Sequence, residues 1–380
     1  MGKFRFITAG ESHGCALTAI LEGLPAGLKI QEDVINRELA RRQQGYGRGD
    51  RMKIETDRIQ VQSGIRFGET LSSPITLQVI NRDWENWTDR MSQFGAPAGP
   101  KVTAARPGHA DLAGILKYDR KDVRDILERA SARETTMRVA AGAVSRQLLS
   151  ACGIEIKSCV TKLGGIEADP ACHDETVRAK SELNCYDADA EVKMKARIDQ
   201  AKKEGDTLGG VFEIRATGLP VGLGSHIQWD RRLDARLAMA MMSIQAIKGV
   251  EIGAGFRYGS LPGSEAHDEV HVDAAGHIYR KTNRAGGLEG GMTNGEELVV
   301  RAVKKPIPTL MNPLASIDIE SKEEVYAAKE RSDVTAVAAA SVVGEAMVAI
   351  VLAEAIVEKF DSDNMTDLLR DMKAYKERIQ

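Results

Sequence analysis

From Val334 to Val357 the chain is almost wholly Ala, Val, Ile, Leu and Met, interrupted by Glu345 and Glu354. A helix of that composition is apolar on every face and has to be enclosed on all sides, by lipid or by protein. Two carboxylates near the centre of a span are costly in a bilayer, so a core helix of a large soluble protein fits better. The stretch Arg231 to Lys248 makes a similar demand. Leu233, Leu237, Met241, Met242 and Ile244 recur at helical spacing, and alanines cover much of the remaining surface. Two helices that each need cover from more than one side call for a helical layer enclosed by sheets.

The strands for such sheets are legible as short alternating or β-branched runs: Phe4 to Thr8, Ile54 to Gln62, Ile75 to Val79, Ile154 to Thr161, Val211 to Ala216 and Leu298 to Val303. Helical periodicity marks Asp33 to Gln43 and Asp122 to Ala151, with a stop at Gly153, and a charge-rich surface helix is expected over Asp187 to Glu204. No linker or internal repeat divides the 380 residues, which favours one large domain over 1–380. With no Rossmann glycine pattern after a strand and no phosphate-loop motif, the usual nucleotide folds are disfavoured. The net charge of −3 gives no global attraction to nucleic acid or anionic lipid. Five cysteines without a CxxC pair support neither a disulfide framework nor a zinc ribbon. The N-terminus lacks a secretory apolar core, and a reducing cytoplasm is the simplest compartment.

Chemistry-bearing residues gather in a few places. Gly10-Glu11-Ser12-His13-Gly14 follows the first strand, so Ser12 and His13 project from a strand end, and His13 can exchange a proton near neutral pH. Arg41, Arg42, Arg48 and Arg51 alternate with Gly45, Gly47 and Gly49 in a cationic loop suited to carboxylate or phosphate oxygens. With Tyr46 as its one stacking ring, the loop is a weak nucleic-acid reader. Arg106-Pro107-Gly108-His109-Ala110-Asp111 sets an arginine and a histidine on one turn, where His109 can protonate an anionic leaving group. Arg129, Ala130, Ser131 and Arg133 join two helical stretches and offer a phosphate cradle, with surface ion pairing to Glu128 and Glu134 as the competing explanation. Five glycines in Gly286 to Gly295, then Lys305-Pro306-Ile307-Pro308-Thr309, suit backbone contact with a flat cofactor. Arg331-Ser332-Asp333 opens the apolar helix, where Ser332 or Asp333 is an N-cap candidate and Asp333, held dry, a candidate base. His267 and His271 sit in an alternating stretch that reads as a polar hairpin, and their order is not that of a zinc helix, so no metal is expected.

Taken together and in order, these motifs resemble the chorismate synthase family, and the resemblance spans nearly the whole chain, least so over Ile166 to Glu204. It implies an α+β fold with a central helical layer between two antiparallel sheets, assembled as a homotetramer. It implies trans-1,4 elimination of phosphate from 5-enolpyruvylshikimate 3-phosphate to give chorismate, in the shikimate pathway, with reduced FMN required and no net redox change. Carried over by position, His13 would protonate the flavin, His109 would assist the leaving phosphate, and Asp333 would take part in removing the ring hydrogen. FMN would meet Arg129, Ala130, Ser131, Gln245, Ala246, Gly290, Lys305, Pro306, Ile307, Pro308, Thr309 and Arg331. The substrate would meet Ser12, Arg42, Arg48, Arg106 and Arg133. Some family members are described as binding NADPH near the positions of Arg42 and Arg48, and these arginines suit the trianionic substrate equally well. No reductase domain is visible, so an external flavin reductant is expected.

Overall fold

In the computed structural model, which describes residues 4–49, 56–328 and 333–379, the apolar run forms a single helix, Val337–Phe360. It is long and apolar enough to cross a membrane, yet 94% of its most apolar window is buried inside the fold. One side packs on the Glu155–Leu163 and Gly210–Thr217 strands, the other on the Thr135–Ala151 helix, with Glu32–Gln43 and Leu233–Met242 at its flanks. The Thr135–Ala151 helix in turn packs on strands Ala16–Glu22 and Ile75–Ile80. Each fully buried Val, Leu or Ile along these helices contributes roughly 1.5–3 kcal/mol.

Both large sheets are antiparallel. The first runs Arg5–Ala9, Ala16–Glu22, Ile75–Ile80, Gln60–Ser63. The second runs Ile247–Ile252, Leu298–Lys304, Gly210–Thr217, Glu155–Leu163, Ile166–Glu167. In the first, Leu17, Ala19, Leu21, Ile75, Leu77 and Val79 alternate inward and are almost fully buried. The main apolar core draws on residues from Phe4 to Met372, and a second, smaller cluster gathers Ala105, Ile115, Val123, Ile126, Leu127 and Ile319. The two central helices meet at a small-residue contact: a Cβ on Gly142 would stand 2.3 Å from the Ala346 Cβ. That close approach lets the two helices pack backbone against backbone.

Several expectations are revised. The Arg231 to Lys248 helix stops at Met242 and residues from Ile247 onward are a strand. Ala246 takes a left-handed φ of 68°, which ends the helical path and turns the chain onto Leu298–Lys304. The helical stretch Asp122 to Ala151 is broken at Ser131, whose ψ of 142° is extended; its hydroxyl accepts from the Arg133 amide and starts the next turn. Residues 54–55 of the Ile54 to Gln62 stretch lie outside the described residues, and among the described ones pairing begins at Gln60. The apolar helix starts at Val337 behind Ala336, with no side-chain cap, so Asp333 is not its N-cap; Arg331 and Ser332 lie outside the described residues. The His267 to His271 stretch does belong to a hairpin, Val270–Val272 with Ile278–Arg280.

Candidate functional site

The strand Arg5–Ala9 ends at Gly10, whose φ of 110° turns the chain so that Ser12 and His13 dock on the end of the Arg124–Ala130 helix. The Ser12 amide donates to the Glu128 carbonyl at 3.1 Å, and the Ser131 hydroxyl meets Ser12 Oγ at 3.2 Å. The His13 ring is half-closed in. Its Nδ1 lies 2.9 and 3.0 Å from the two Glu128 oxygens, and its backbone N–H donates to the same carboxylate at 2.8 Å. Trp87 stacks on the ring at 4.0 Å between centroids, and the Arg124 guanidinium lies 4.8 Å from the Trp87 centroid. Burial pushes the Glu128 carboxyl up, but the hydrogen bonds and charges from His13 and Arg124 more than reverse it and hold it below the ordinary range.

The second histidine is built the same way. His109 Nδ1 contacts Asp111 Oδ1 very closely, while Arg106 Nε donates to Asp111 Oδ2 at 2.8 Å. Asp111 is fully buried; the burial penalty is outweighed by His109 and Arg106, which bring its pKa to about 2. An ionised carboxylate only accepts, so Nδ1 of each histidine carries hydrogen toward its carboxylate and Nε2 is the nitrogen left for exchange, although Arg106 Nη2 also lies 3.1 Å from His109 Nδ1.

The arginines expected to meet substrate behave differently from one another. Arg42 and Arg133 are 4% and 5% exposed and share Asp57, Arg42 Nη2 at 2.9 Å and Arg133 Nη1 at 2.7 Å. Arg133 also donates to Asn81 Oδ1 from Nε and Nη2. Burial, followed by the opposing pull of Asp57 and the push of Arg133, leaves Arg42 near pKa 10, and its Nε has no hydrogen-bond partner. Arg48 reaches Asp333 instead, Nε to Oδ2 at 3.2 Å, and Asp333 also accepts the Gly49 amide at 2.6 Å. Asp333 is therefore not an isolated carboxylate in a dry pocket but the partner of the arginine loop. Lys304, absent from the sequence-based set, lies against this pair. It is 7% exposed, and burial, only partly offset by Asp333, lowers its ammonium to about 8.

Short links tie these groups into one region. Arg129 donates to the Thr8 and Gly10 carbonyls, and Thr8 Oγ1 and Gln245 Nε2 both donate to Glu134. The Lys305 amide donates to the Ala246 carbonyl at 2.9 Å, the Lys305 ammonium donates to the Gly108 carbonyl, and Arg106 Nη1 reaches Thr309 Oγ1 at 3.4 Å. The Ile307 carbonyl accepts from Thr207 at 2.7 Å, which holds the segment between its two prolines in place. Gly290 sits at the turn between Leu288–Glu289 and Met292–Thr293. Among the described residues no hydrogen bond or ion pair joins it to the other expected cofactor residues.

Glu128 and Glu134 are 3% and 5% exposed, so they do not form the surface ion pairs that competed with a functional explanation. Asp57, Asn81 and Trp87 carried no local motif, and only long-range packing reveals them; Lys304 directly precedes the Lys305–Thr309 motif. Gln245 Oε1 is a buried acceptor without a partner, beside the Lys305 segment, and suits an N–H of a flat heteroaromatic ring. A large cleft of about 790 Å³ lies elsewhere, over Arg41, Arg146, Arg178, Asn184 and Glu345. It takes in Arg41 and Gly45 of the cationic loop, but Arg41 is paired there with Glu345, and none of the residues expected to meet cofactor or substrate lines it. Among the described residues no cluster of His, Cys, Asp or Glu could hold a metal ion.

A family model described as chorismate synthase matches residues 4–357. A chorismate synthase from Geobacter sulfurreducens is 57% identical over 389 residues, covering 99% of each chain. One from Syntrophotalea carbinolica is 54% identical with both chains fully covered. Among solved structures, a crystal structure of chorismate synthase shares 44% identity at a TM-score of 0.80, over 100% of this chain and 99% of that one.

Proposed function

Since the chain belongs to the chorismate synthase family, a family of lyases in the shikimate pathway, we propose that this site eliminates phosphate from 5-enolpyruvylshikimate 3-phosphate to form chorismate, with reduced FMN present and unchanged overall. The observation that carries the proposal is the pair of histidines, each with Nδ1 on a buried carboxylate, set among arginines and lysines that match a substrate with two carboxylates and a phosphate.

The residues present suit FMN. Gln245 Oε1 is the unpaired acceptor, the Lys305–Thr309 segment and Ala246 offer backbone groups, and Arg129, Ser131 and Lys305 supply donors for an anionic tail. Bound reduced flavin supplies transient electron density that eases departure of the phosphate. The rest falls to the chain. His13 would exchange a proton at Nε2 on the flavin side. His109, steadied by Asp111 and Arg106, presents its own Nε2 to the leaving phosphate. Asp333 is the carboxylate for the ring proton, with Arg48 to bind a substrate anion once it loosens from Asp333. Arg42 and Arg133, held together on Asp57, supply buried cationic groups at this end of the site. Ser12 lines the same end.

The proposal extends to one domain with the helices layered between two sheets, a homotetramer, a cytoplasmic location and an external flavin reductant. Self-association is supported by Ile7, Ile20 and Ile80, which stand 61%, 44% and 46% exposed on the outer face of the first sheet. Five free thiols fit a reducing compartment. Binding of NADPH at Arg42 and Arg48 has less support, because Arg42 is already buried against Asp57.

The deciding experiment is anaerobic turnover with photoreduced FMN, following phosphate release and chorismate absorbance. Product with reduced and none with oxidised FMN is expected, and folded flavin-binding protein that makes no chorismate would refute the proposal. In the same assay His109→Ala should lose at least about 100-fold in kcat.

A further inference from the structure

We propose that Glu128 is the positioning residue for His13, fixing its tautomer and ring direction so that Nε2 alone faces the reaction. The inference rests on the role given to His13 above and deepens it.

Three observations converge on Glu128. Both of its oxygens accept from His13 Nδ1, and one also accepts the His13 backbone N–H, so the ring and the chain that carries it are held by one carboxylate. Its backbone carbonyl takes the Ser12 amide, which fixes the preceding residue as well. Arg124 Nη1 donates to Glu128 Oε1 at 2.7 Å and so holds the carboxylate from its own helix. Trp87 then closes one ring face, with an interplanar angle of 25°, and is itself backed by the Arg124 guanidinium. The imidazole is thus restrained about both of its side-chain torsions.

A surface ion pair would leave these groups mobile and wet; here Glu128 is 3% exposed and the His13 side chain 12%. Because a carboxylate only accepts, Nδ1 must carry hydrogen, and Nε2 is left as the exchanging nitrogen. A ring free to flip would present the wrong nitrogen or the wrong tautomer for part of the time. A residue acting this way changes the chemical step without touching substrate.

A double-mutant cycle in anaerobic turnover with reduced FMN tests this. Glu128→Gln keeps the volume but offers an amide that can donate as well as accept, so it no longer selects the Nδ1–H tautomer. It should lower kcat by about 100-fold with little change in KM or in FMN affinity. In a His13→Ala background the same substitution should cost no more than about twofold, because its whole effect passes through the ring. Full turnover by Glu128→Gln, or an equal loss in both backgrounds, overturns the inference while leaving the role of His13 intact. Full turnover by His13→Ala alone removes the reading on which it rests, and the inference falls with it. If Glu128→Gln does not yield folded protein, Glu128→Asp, which withdraws the charge by one methylene, is carried through the same cycle.

Discussion

Replacing Glu345 by Gln should destabilise the protein by about 3 kcal/mol at neutral pH, and the penalty should fade in acid. Glu345 sits in the middle of the apolar helix and is 1% exposed. Its oxygens accept from Arg41 at 2.8 and 2.9 Å, from Arg146 at 2.6 Å and from Ser158 at 2.6 Å. Burial alone would raise its pKa; the two guanidiniums and the hydroxyl reverse that and bring it to about 2 from an ordinary 4.5. At about 1.36 kcal/mol for each pH unit, that fall corresponds to about 3 kcal/mol of folded-state preference for the ionised form. It agrees with the roughly 3–5 kcal/mol expected when a buried ion network loses one partner, and Glu38, which also meets Arg41 and Arg146, keeps the cost near the lower end. The folded pKa is depressed, so this stability is complete above about pH 4.5 and is lost as pH falls toward about 2. Urea unfolding followed by tryptophan fluorescence, at one protein concentration for both proteins, gives the difference at each pH. The gap between wild type and Glu345→Gln should be about 3 kcal/mol at pH 7 and less than half of that by about pH 3. A gap below about 1 kcal/mol, or one that is the same at both pH values, would refute the electrostatic argument and leave packing as the cause.

Lys304→Met should stabilise the fold at pH 7, by as much as about 3 kcal/mol, because burial lowers the ammonium from 10.5 to about 8. The sign is opposite to that of Glu345: the penalty on wild type grows as pH falls from 10.5 to about 8 and is constant below, so equal stabilities at pH 7 would contradict it. Gly142→Val should lower stability by about 1–3 kcal/mol or prevent folding, since its side chain would meet the Ala346 backbone, with Cα at 2.5 Å from the new Cβ; unchanged thermal unfolding would show that the helices can separate at no cost.

The candidate site was partly legible in advance because its members sit in short ordered motifs. His13, His109, Arg48 and Arg106 each occur beside glycines or prolines that mark a turn, and such local chemistry survives in sequence. What escaped was their partners. Glu128 and Glu134 resemble ordinary helix-surface acids when read along the chain, yet His13 and Arg124 close over the first and strand Arg5–Ala9 and Gln245 over the second. The Ala16–Glu22 strand was missed although Leu17, Ala19 and Leu21 alternate inward, since its two alanines weaken a pattern that rests on large β-branched residues. The helix–strand switch at Ala246 was hidden for a related reason: an unbroken run of good helix formers precedes it, and only pairing with Leu298–Lys304 makes the turn worthwhile.

By itself, then, the sequence determined that one long helix had to be buried on every side, that sheets were needed to cover it, and that cationic loops would gather around two histidines. Those conclusions follow from hydrophobicity and periodicity, which are properties of neighbouring residues. The tertiary structure alone decided that Asp57 would sit between two buried arginines, that Glu345 would sit inside the core on two more, and that His13 would have its Nδ1 held by Glu128. Pairings across 15 to 304 residues of chain cannot be read from local pattern, because burial and distance fix them only after the sheets have closed on the helices.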